Sequence, residues 1–362
     1  MKRNYGNDNK HALTAKLDAQ KIAWAPMMFQ AARALRDFGI LKLLLENKNG
    51  FTSSEVAEKI GISRYGATVL LEAGLSLELV YLEDDVFKLT KTGFFLQSDP
   101  LTKANMDFTQ DVNYEAFMYL QESIKNSKPE GLHRVFGDRW ATVYEALAEM
   151  PDQFRKSWFG FDHYYSDNAF PDLLEIVFKK SPKKILDVGG NTGKWSLQCV
   201  AHNPEVEMTI LDHPGQLKEA FENAEKLGFK DRVKGHAMDL LKHEIPFPKG
   251  FDIVWMSQFL DCFGEEDILG LILRAKDALN ENGKLYILET YWDDQKYEAS
   301  TYSLHATSLY FTCVANGNSR MYHSDDMREL LDKAGMQVVE TYHNVGISHT
   351  LMICEPKFRK IK

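Results

Sequence analysis

The chain lacks the patterns that mark membrane, exported and metal-binding proteins. Its four cysteines, Cys199, Cys262, Cys313 and Cys354, show neither metal-ligand nor redox spacing, so we expect free buried thiols, no metal and no disulfides. No apolar run is long enough for a transmembrane helix, and the first residues have no apolar signal-peptide core. These absences predict a cytoplasmic protein without membrane partners.

An excess of positive charge is also lacking. The 362 residues include 43 Lys and Arg against 52 Asp and Glu, a formal net charge of −9, without a basic run. We therefore expect no nucleic-acid partner. An apolar content of 44% is sufficient for a large core, and the length allows two domains.

Residues 51–96 predict a winged helix-turn-helix. A capping box at Thr52 and Glu55 opens one helix, Ser63 opens a second, and two short strands follow. This motif often places its second helix in the DNA major groove, which makes a ligand-responsive DNA-binding regulator the rival function. The second helix has one Arg against two Glu, however, and would be repelled by phosphates.

We divide the chain into a winged-helix dimerisation domain over 1–100, a helical connector and pocket wall over 101–170, and a third domain over 171–362. The segment from Ile22 to Glu46 is apolar around most of a helical circumference and needs cover on several sides. It could pack on the winged helix alone. We favour a homodimer in which the helices of two subunits interlock.

The connector is rich in aromatic residues. Aromatic side chains at helical spacing are usually core, but some could form a wall for a flat substrate. We predict this acceptor wall from Trp158, Phe159 and His163, with Tyr310 from the third domain.

From Lys184 onward, short apolar strands alternate with helices, which predicts an α/β fold with a doubly wound, Rossmann-like sheet. The predicted strands are KILDVGG, MTILDH, VKGHAMDL, FDIVWMSQ, GKLYILETYW, MQVVETYHNV and HTLMICE.

The segment ILDVGGNTGKW places Gly189, Gly190 and Gly193 between a strand and a helix, where a bare backbone can approach a ligand closely. A phosphate loop needs four residues between its glycines and a Ser or Thr after the Lys. Here three residues intervene and Trp195 follows Lys194, so a nucleoside triphosphate is a poor candidate.

The carboxylates near this loop indicate a cationic ligand. Asp187 would repel a pyrophosphate but suits the ammonium group of S-adenosyl-L-methionine (SAM). Asp212, nineteen residues beyond Gly193, is placed for ribose hydroxyls. Asp239 could accept from the adenine amino group while Leu240 packs on the ring. Each alone could be a helix cap, but their order on three successive strands predicts a SAM site.

LDVGGNTG, LDHP, MDL, SQFLD and GKLYILET together resemble the SAM-dependent O-methyltransferases of the plant caffeic acid and bacterial polyketide-tailoring type, which carry an N-terminal winged-helix dimerisation domain. Asn191 replaces the middle glycine of the family loop and tolerates a left-handed backbone. The complete predicted cofactor site is Asp187, Gly189, Gly190, Asn191, Gly193, Asp212, His213, Asp239, Leu240, Ser257 and Gln258.

The same resemblance exposes an altered acceptor side. The family's catalytic histidine aligns with Asp261, and a glutamate that orients it matches Glu289. A second family glutamate aligns with Ser319, and a lysine aligns with Ser257. An unperturbed Asp is a poorer base than His by roughly 3.5 kcal/mol.

Three explanations stay open. Burial could raise the pKa of Asp261, the acceptor could be unusually acidic or already ionised, or His305 or His163 could be the base. Asp261 could equally be a helix N-cap, and Glu289 a strand-end cap.

The sequence thus predicts a cytoplasmic, homodimeric SAM-dependent methyltransferase that acts on oxygen of a small aromatic or conjugated acceptor. Asp261 or His305 would assist the acceptor, and Glu289 would orient its partner. Methylation of nitrogen or carbon, and a non-methylating SAM reaction, are the alternatives among enzymes.

Overall fold

The structure is a computed structural model that describes Tyr5 and residues 7–166 and 169–357, with side chains for all of these except 163–166. It divides into two compact units. The smaller contains the described residues of 4–112 and 156–161, and the larger contains those of 113–155 and 162–357.

The smaller unit is mainly helical and carries one two-stranded antiparallel hairpin. Its elements are α1 (Ala12–Ala23), α2 (Ala25–Asp37), α3 (Ile40–Glu46), α4 (Ser53–Ile60), α5 (Arg64–Ser76), β1 (Val80–Glu83), β2 (Val86–Leu89), α6 (Lys91–Ser98) and α7 (Pro100–Phe108). The capping box of Thr52 and Glu55 opens α4, and the Ser63 side chain caps α5, as the sequence indicates.

The apolar segment from Ile22 to Glu46 is not one helix, which corrects that expectation. Pro26 lies in the first turn of α2, and Gly39, with a φ of 81°, separates α2 from α3. Proline lacks the N–H that a continuous helix needs, and a left-handed residue ends the helical repeat. α2 and α3 bury part of their apolar surface, whereas α1 has no buried residue.

The larger unit begins with helices and continues into the alternating strands. Its elements are α8 (Leu120–Asn126), α9 (Glu130–Phe136), α10 (Val143–Ala146), α11 (Asp152–Ser166, whose residues 156–161 belong to the smaller unit), α12 (Phe170–Val177), β3 (Lys184–Val188), α13 (Lys194–His202), β4 (Glu207–Asp212), α14 (Pro214–Lys226), β5 (Val233–Ala237), β6 (Phe251–Ser257), α15 (Glu265–Ala278), β7 (Leu279–Glu289), α16 (Glu298–Tyr310), α17 (Ser324–Lys333), β8 (Met336–Val345) and β9 (His349–Pro356).

The seven-stranded sheet of this unit has the order β5-β4-β3-β6-β7-β9-β8. The first five of these strands are parallel, and β9 runs antiparallel to both β7 and β8. Apolar clusters cover the sheet, which explains the near-continuous apolar sequences of β3 and β6. The strand order reverses between β3 and β6, and ligands of such sheets bind outside the carboxyl ends of the strands at that point.

Within the described residues, no helix combines the length and apolar character needed to cross a bilayer.

Candidate active site

The glycine loop after β3 depends on left-handed backbone. Gly189 and Gly193 have φ values of 73° and 79°, and Asn191 has a φ of 50°. A Cβ atom on Gly189 would lie 2.4 Å from the ring of Phe259. The loop is tied to β4 because the Gly189 N–H donates to the Leu211 carbonyl over 2.9 Å. A side chain at 189 would therefore be both strained and obstructed.

Asp212 ends β4 beside this loop. Its Oδ2 accepts the backbone N–H of Asn191 at 2.8 Å, and its Oδ1 accepts that of His213 at 2.7 Å. Burial raises the pKa of Asp212, and the two backbone bonds oppose that rise. The carboxylate thus fixes the loop and lies at the carboxyl edge of the sheet.

Asp187 is 3% exposed, and its Oδ2 accepts the hydroxyl of Ser196 at 2.7 Å. Burial, augmented by the charge of Asp212, raises the pKa of Asp187 to about 7, although the Ser196 bond lowers it. The carboxyl group lies directly beneath the loop, since a Cβ atom on Gly190 would approach it to 2.7 Å. A buried carboxylate with a raised pKa is stabilised by a cation.

Asp239 lies two residues beyond β5 rather than at the strand end that we expected. Its Oδ1 accepts the Leu241 N–H at 3.0 Å. The Met238 N–H donates to the Asp212 carbonyl at 3.1 Å, which brings Asp239 to the carboxyl edge of β4. Leu240 is buried in the core.

The remaining predicted cofactor residues also lie at strand ends. Ser257 is the last residue of β6, and Gln258 follows it with a φ of 48°. Both are half-buried. His213 is exposed at the start of α14.

These residues fit SAM. Asp187 is a buried carboxylate suited to an ammonium group, Asp212 and Asp239 offer acceptors to hydroxyl and amino groups, and Gly189 leaves the backbone bare. All of them lie along neighbouring parallel strands at the edge where such sheets bind ligands.

Asp261 lies in a short turn, Leu260–Cys262, that follows β6. It is 8% exposed, and burial raises its pKa to about 6, although the hydrogen bond from the Cys262 thiol, over 3.5 Å, lowers it. Asp162 adds to the rise through its charge. The N-cap alternative is wrong, because Gly264 occupies the N-cap of α15.

Glu289 is the last residue of β7, and its carboxylate braces the chain just before Asp261. Its Oε1 accepts the N–H groups of Phe259 at 3.0 Å and Leu260 at 2.9 Å, so it caps another segment rather than its own strand. Its Oε2 is buried and has no hydrogen-bond partner among the residues that the structure describes. Burial first, and then the charge of Asp261, raise the pKa of Glu289 well above its usual range.

Three further side chains fix the same turn. Asn316 Nδ2 donates to the Cys262 carbonyl at 2.7 Å, the Tyr322 hydroxyl donates to the Phe263 carbonyl at 2.6 Å, and the Tyr144 hydroxyl lies 3.2 Å from Cys262 Sγ. Our sequence reasoning missed Asn316 and Tyr144. Their contacts to Cys262 span 54 and 118 residues, and nothing in the local pattern signals them.

Ser319 and Cys262 stand near Asp261 at positions where the sequence differs from the family pattern. Ser319, which aligns with a family glutamate, is buried and accepts from Asn316 Nδ2 at 2.8 Å. Burial and the charge of Asp261 raise the pKa of the Cys262 thiol, so it is a neutral group and not a nucleophilic thiolate.

The predicted acceptor groups are divided between the two units. His305 is exposed on α16, with its ring 5.0 Å from that of Trp292, while Tyr310 is buried. Trp158 and Phe159 belong to the smaller unit, where their rings meet edge to face at 5.1 Å. The side chain of His163 lies outside the described residues.

The switch-point sheet, the bare glycine loop and the strand-end carboxylates define the class of SAM-dependent methyltransferases. Comparison with known families agrees. Residues 117–337 match the O-methyltransferase domain and residues 16–87 match the Dimerisation2-like domain. The chain therefore belongs to the O-methyltransferase family, which confirms the resemblance, the fold class and the cofactor inferred from sequence.

Individual relatives match from two thirds to nine tenths of the chain. The L-tyrosine C(3)-methyltransferase of Streptomyces lavendulae is 27% identical over 337 residues, 91% of this chain and 90% of that protein. The 3-hydroxy-5-methyl-1-naphthoate 3-O-methyltransferase of Streptomyces sahachiroi is 25% identical over 67% of this chain and 68% of that protein. The crystal structure of the SAM-dependent methyltransferase SibL superposes with a TM-score of 0.72 at 23% identity, covering 93% of this chain and 98% of that one.

Proposed function

We propose that this methyltransferase acts on the oxygen of a small phenolic acceptor, with Asp261 as the proton acceptor in place of histidine. The observation that carries the proposal is the buried Asp261 on a turn whose backbone forms hydrogen bonds with Glu289, Asn316 and Tyr322. A general base needs that kind of fixed position.

The cofactor residues have separate roles in this proposal. Asp187 faces the ammonium group, Asp212 binds the ribose hydroxyls, and Asp239 accepts from the adenine amino group while Leu240 packs on the ring. The backbone from Gly189 to Gly193 lets the ligand approach. SAM supplies an electrophilic methyl carbon on a sulfonium.

Burial makes Asp261 a usable base. Transfer of a proton from a phenol of pKa about 10 costs about 8 kcal/mol to an unperturbed Asp, but about 5 kcal/mol to a carboxylate of pKa about 6. That difference of about 3 kcal/mol corresponds to roughly a hundredfold in rate if fully expressed. Of the three explanations left open by the sequence, the raised pKa of Asp261 is the one with structural support.

Methylation of a ring carbon beside a phenolic hydroxyl is the second candidate. The 27% identity over 91% of this chain to an L-tyrosine C(3)-methyltransferase favours it. Both reactions begin from a deprotonated phenol, so the same base serves either. They differ in which nucleophilic atom the acceptor pocket aims at the methyl carbon.

We further propose that the enzyme is a homodimer through the smaller unit. The match of residues 16–87 to the Dimerisation2-like domain supports this, and so do the exposed apolar residues of α1, namely Leu13, Leu17 and Ile22. A helix with no buried residue in its own chain is expected to find cover in a partner. Trp158, Phe159, His163 and Tyr310 stay predicted as acceptor-wall residues, and His305 as the alternative base.

Methyl transfer from methyl-¹³C-labelled SAM, followed by NMR of the product, tests the acceptor atom. The panel would contain catechol, simple phenols, hydroxylated aromatic acids and L-tyrosine. A methoxy product is expected, and an aryl-methyl product would replace the proposal with the second candidate. Binding of S-adenosylhomocysteine without transfer to any acceptor, together with sequence-selective binding of genomic fragments, would favour the regulator alternative.

A further inference from the structure

Asp261 and Glu289 form a pair of buried carboxyl groups in the larger unit. Asp261 is 8% exposed, and Glu289 is 2% exposed. Glu289 Oε1 accepts the N–H of Leu260, the residue before Asp261, at 2.9 Å, and standard backbone dimensions then place this oxygen within about 8 Å of the Asp261 Cα. Two carboxyl groups are thus enclosed in one neighbourhood.

No cation compensates this pair in the part of the chain that the structure describes. No Lys, Arg or His there forms an ion pair with either carboxyl group. Arg320, which approaches the ring of Tyr322, pairs instead with Glu265 and Asp326. Two like charges buried together without a cation are unfavourable, so one of the two groups is expected to keep a proton.

The hydrogen bonds show which of the two groups keeps it. Both N–H groups that reach Glu289 bond to Oε1, while Oε2 is buried and has no partner among the described residues. A protonated carboxyl group suits this arrangement, because one oxygen remains the acceptor and the other carries the hydrogen. Asp261 differs, since its Oδ1 accepts the thiol of Cys262 over 3.5 Å, a bond that favours the charged form.

The other titratable groups around the pair supply no positive charge. They come from the Asp261 turn, α10, the segment after β7, the segment before α17 and α11, and they are Cys262, Tyr144, Tyr291, Tyr322 and Asp162. Desolvation raises the pKa of the thiol and of the three phenols, so these four groups stay neutral, and the carboxylate on α11 only adds negative charge.

The two carboxyl groups respond unequally to this environment. Burial raises the pKa of Glu289 well above its usual range, and the charge of Asp261 raises it further. Burial raises the pKa of Asp261 only to about 6. The direction of the two shifts agrees with the hydrogen bonds.

We propose that Asp261 and Glu289 hold one proton between them at neutral pH, that this proton resides on Oε2 of Glu289, and that Glu289 is therefore an uncharged positioning residue. The single negative charge of the pair is left on the base. A glutamate that orients a histidine can stay ionised, because the imidazole can carry the opposite charge, whereas a glutamate beside a carboxylate must be neutral to avoid repulsion. The role of Glu289, though not its charge state, rests on the proposed function.

Chemical denaturation from pH 5 to 8 tests the charge state through linkage. Glutamine keeps the Oε1 acceptor but has no proton to release. In the wild type, the native state would retain a proton that the unfolded state loses above about pH 4.3, so stability falls as pH rises. We expect the ratio of the unfolding constant of wild type to that of Glu289→Gln to rise about tenfold per pH unit, and to keep rising above pH 6.

Two variants provide the comparison. For Asp261→Asn the same ratio should rise only from about pH 4 to about 6 and then level off. For Glu222→Gln, an exposed residue of α14, it should stay constant. The inference would be overturned by a constant ratio for Glu289→Gln above pH 6, by a rise above pH 6 in Asp261→Asn instead, or by an equal rise in the surface control.

Infrared spectra of wild-type protein labelled with ¹³C-glutamate give a measurement that needs no variant. We expect a protonated-carboxyl band with the isotope shift at pH 8, and carboxylate bands alone would contradict the proposal. Neither measurement requires methyl transfer. Unchanged turnover in Asp261→Asn would remove the proposed base and leave the charge assignment intact, whereas an ionised Glu289 beside an impaired Asp261→Asn would reject this inference and retain the proposed function.

Discussion

At the scale of single residues, the proposed function has a carboxylate, that of Asp261, in the place of an imidazole. The side chain of Asp261 is shorter than histidine and intrinsically more acidic, but its environment compensates for the acidity. Burial brings its pKa to about 6, close to the usual histidine value of about 6.5. Glu289 contributes by fixing the preceding backbone through two N–H groups.

Asp261→Asn is expected to slow methyl transfer by about 10² to 10⁴, the usual contribution of a general base. The affinity for S-adenosylhomocysteine should stay nearly unchanged. In the wild type, turnover should rise with pH through about 6, as the carboxylate loses its proton, and this limb should be absent in the variant. Steady-state rates across pH and calorimetry provide the measurements, with Asp231→Asn as the surface control. Unchanged turnover would discard Asp261 as a participant.

Asp212→Ala, unlike Asp261→Asn, should weaken the binding of S-adenosylhomocysteine. The variant loses the acceptor for the Asn191 and His213 N–H groups as well as the proposed ribose ligand. We expect S-adenosylhomocysteine to bind at least about tenfold more weakly, since hydrogen bonds to charged groups contribute about 1.5–3 kcal/mol each. Calorimetry measures the loss. An affinity within twofold of wild type would remove Asp212 from the cofactor site.

The sequence allowed the cofactor carboxylates to be predicted because their order along the chain follows the order of neighbouring strands. Asp187 and Asp212 end or precede the end of successive parallel strands, so their order along the sequence became proximity in space. The contacts that fix the Asp261 turn could not be read in that way. Asn316 and Tyr144 reach it from distant segments, and only the folded chain brings them together.

At the scale of elements, the pattern of apolar residues and the positions of proline and glycine explain which helices and strands could be predicted. Each of the seven strands of the sheet overlaps a run that the sequence predicts as a strand, although β7 begins at Leu279, four residues before the predicted run. The division of the segment from Ile22 to Glu46 was missed because apolar content dominated the reading, although Pro26 and Gly39 are present in the sequence. In such apolar segments, proline and glycine indicate where a helix ends as clearly as the apolar pattern indicates that a helix is present.

The glycine loop provides a test of an element that is built around one residue. Gly189→Ala introduces a side chain at a φ of 73° and 2.4 Å from the Phe259 ring. We expect a loss of stability of about 1–3 kcal/mol and weaker binding of S-adenosylhomocysteine.

Gly215→Ala is the matched control, because α14 leaves open space at that position and its backbone is helical. It should be neutral or slightly stabilising. Chemical denaturation and calorimetry compare the two variants. Equal behaviour would show that the loop tolerates a side chain, contrary to the geometry.

At the scale of the whole molecule, the cofactor site has a cost in folding free energy. Asp187 is 3% exposed, and its pKa of about 7 lies well above the value of about 3.9 expected in the unfolded chain. Between these values the native state retains a proton that the unfolded state releases. Stability therefore falls as pH rises from about 4 to 7 through this group. His349 acts oppositely over a similar range, since burial lowers its pKa to about 4.

Asp187→Asn should consequently stabilise the folded protein and weaken its binding of the cofactor. Asparagine can still accept the Ser196 hydroxyl but has no charge to bury, so at pH 8 the variant should gain up to about 4 kcal/mol and melt several degrees higher. The difference should vanish near pH 4, and taking it between variant and wild type cancels the contribution of His349. S-adenosylhomocysteine, which carries the same ammonium group, should raise the melting temperature of the variant less than that of wild type. Parallel melting curves at every pH would show that Asp187 is not buried as a charge, and an undiminished ligand shift would show that its carboxylate does not face the ammonium.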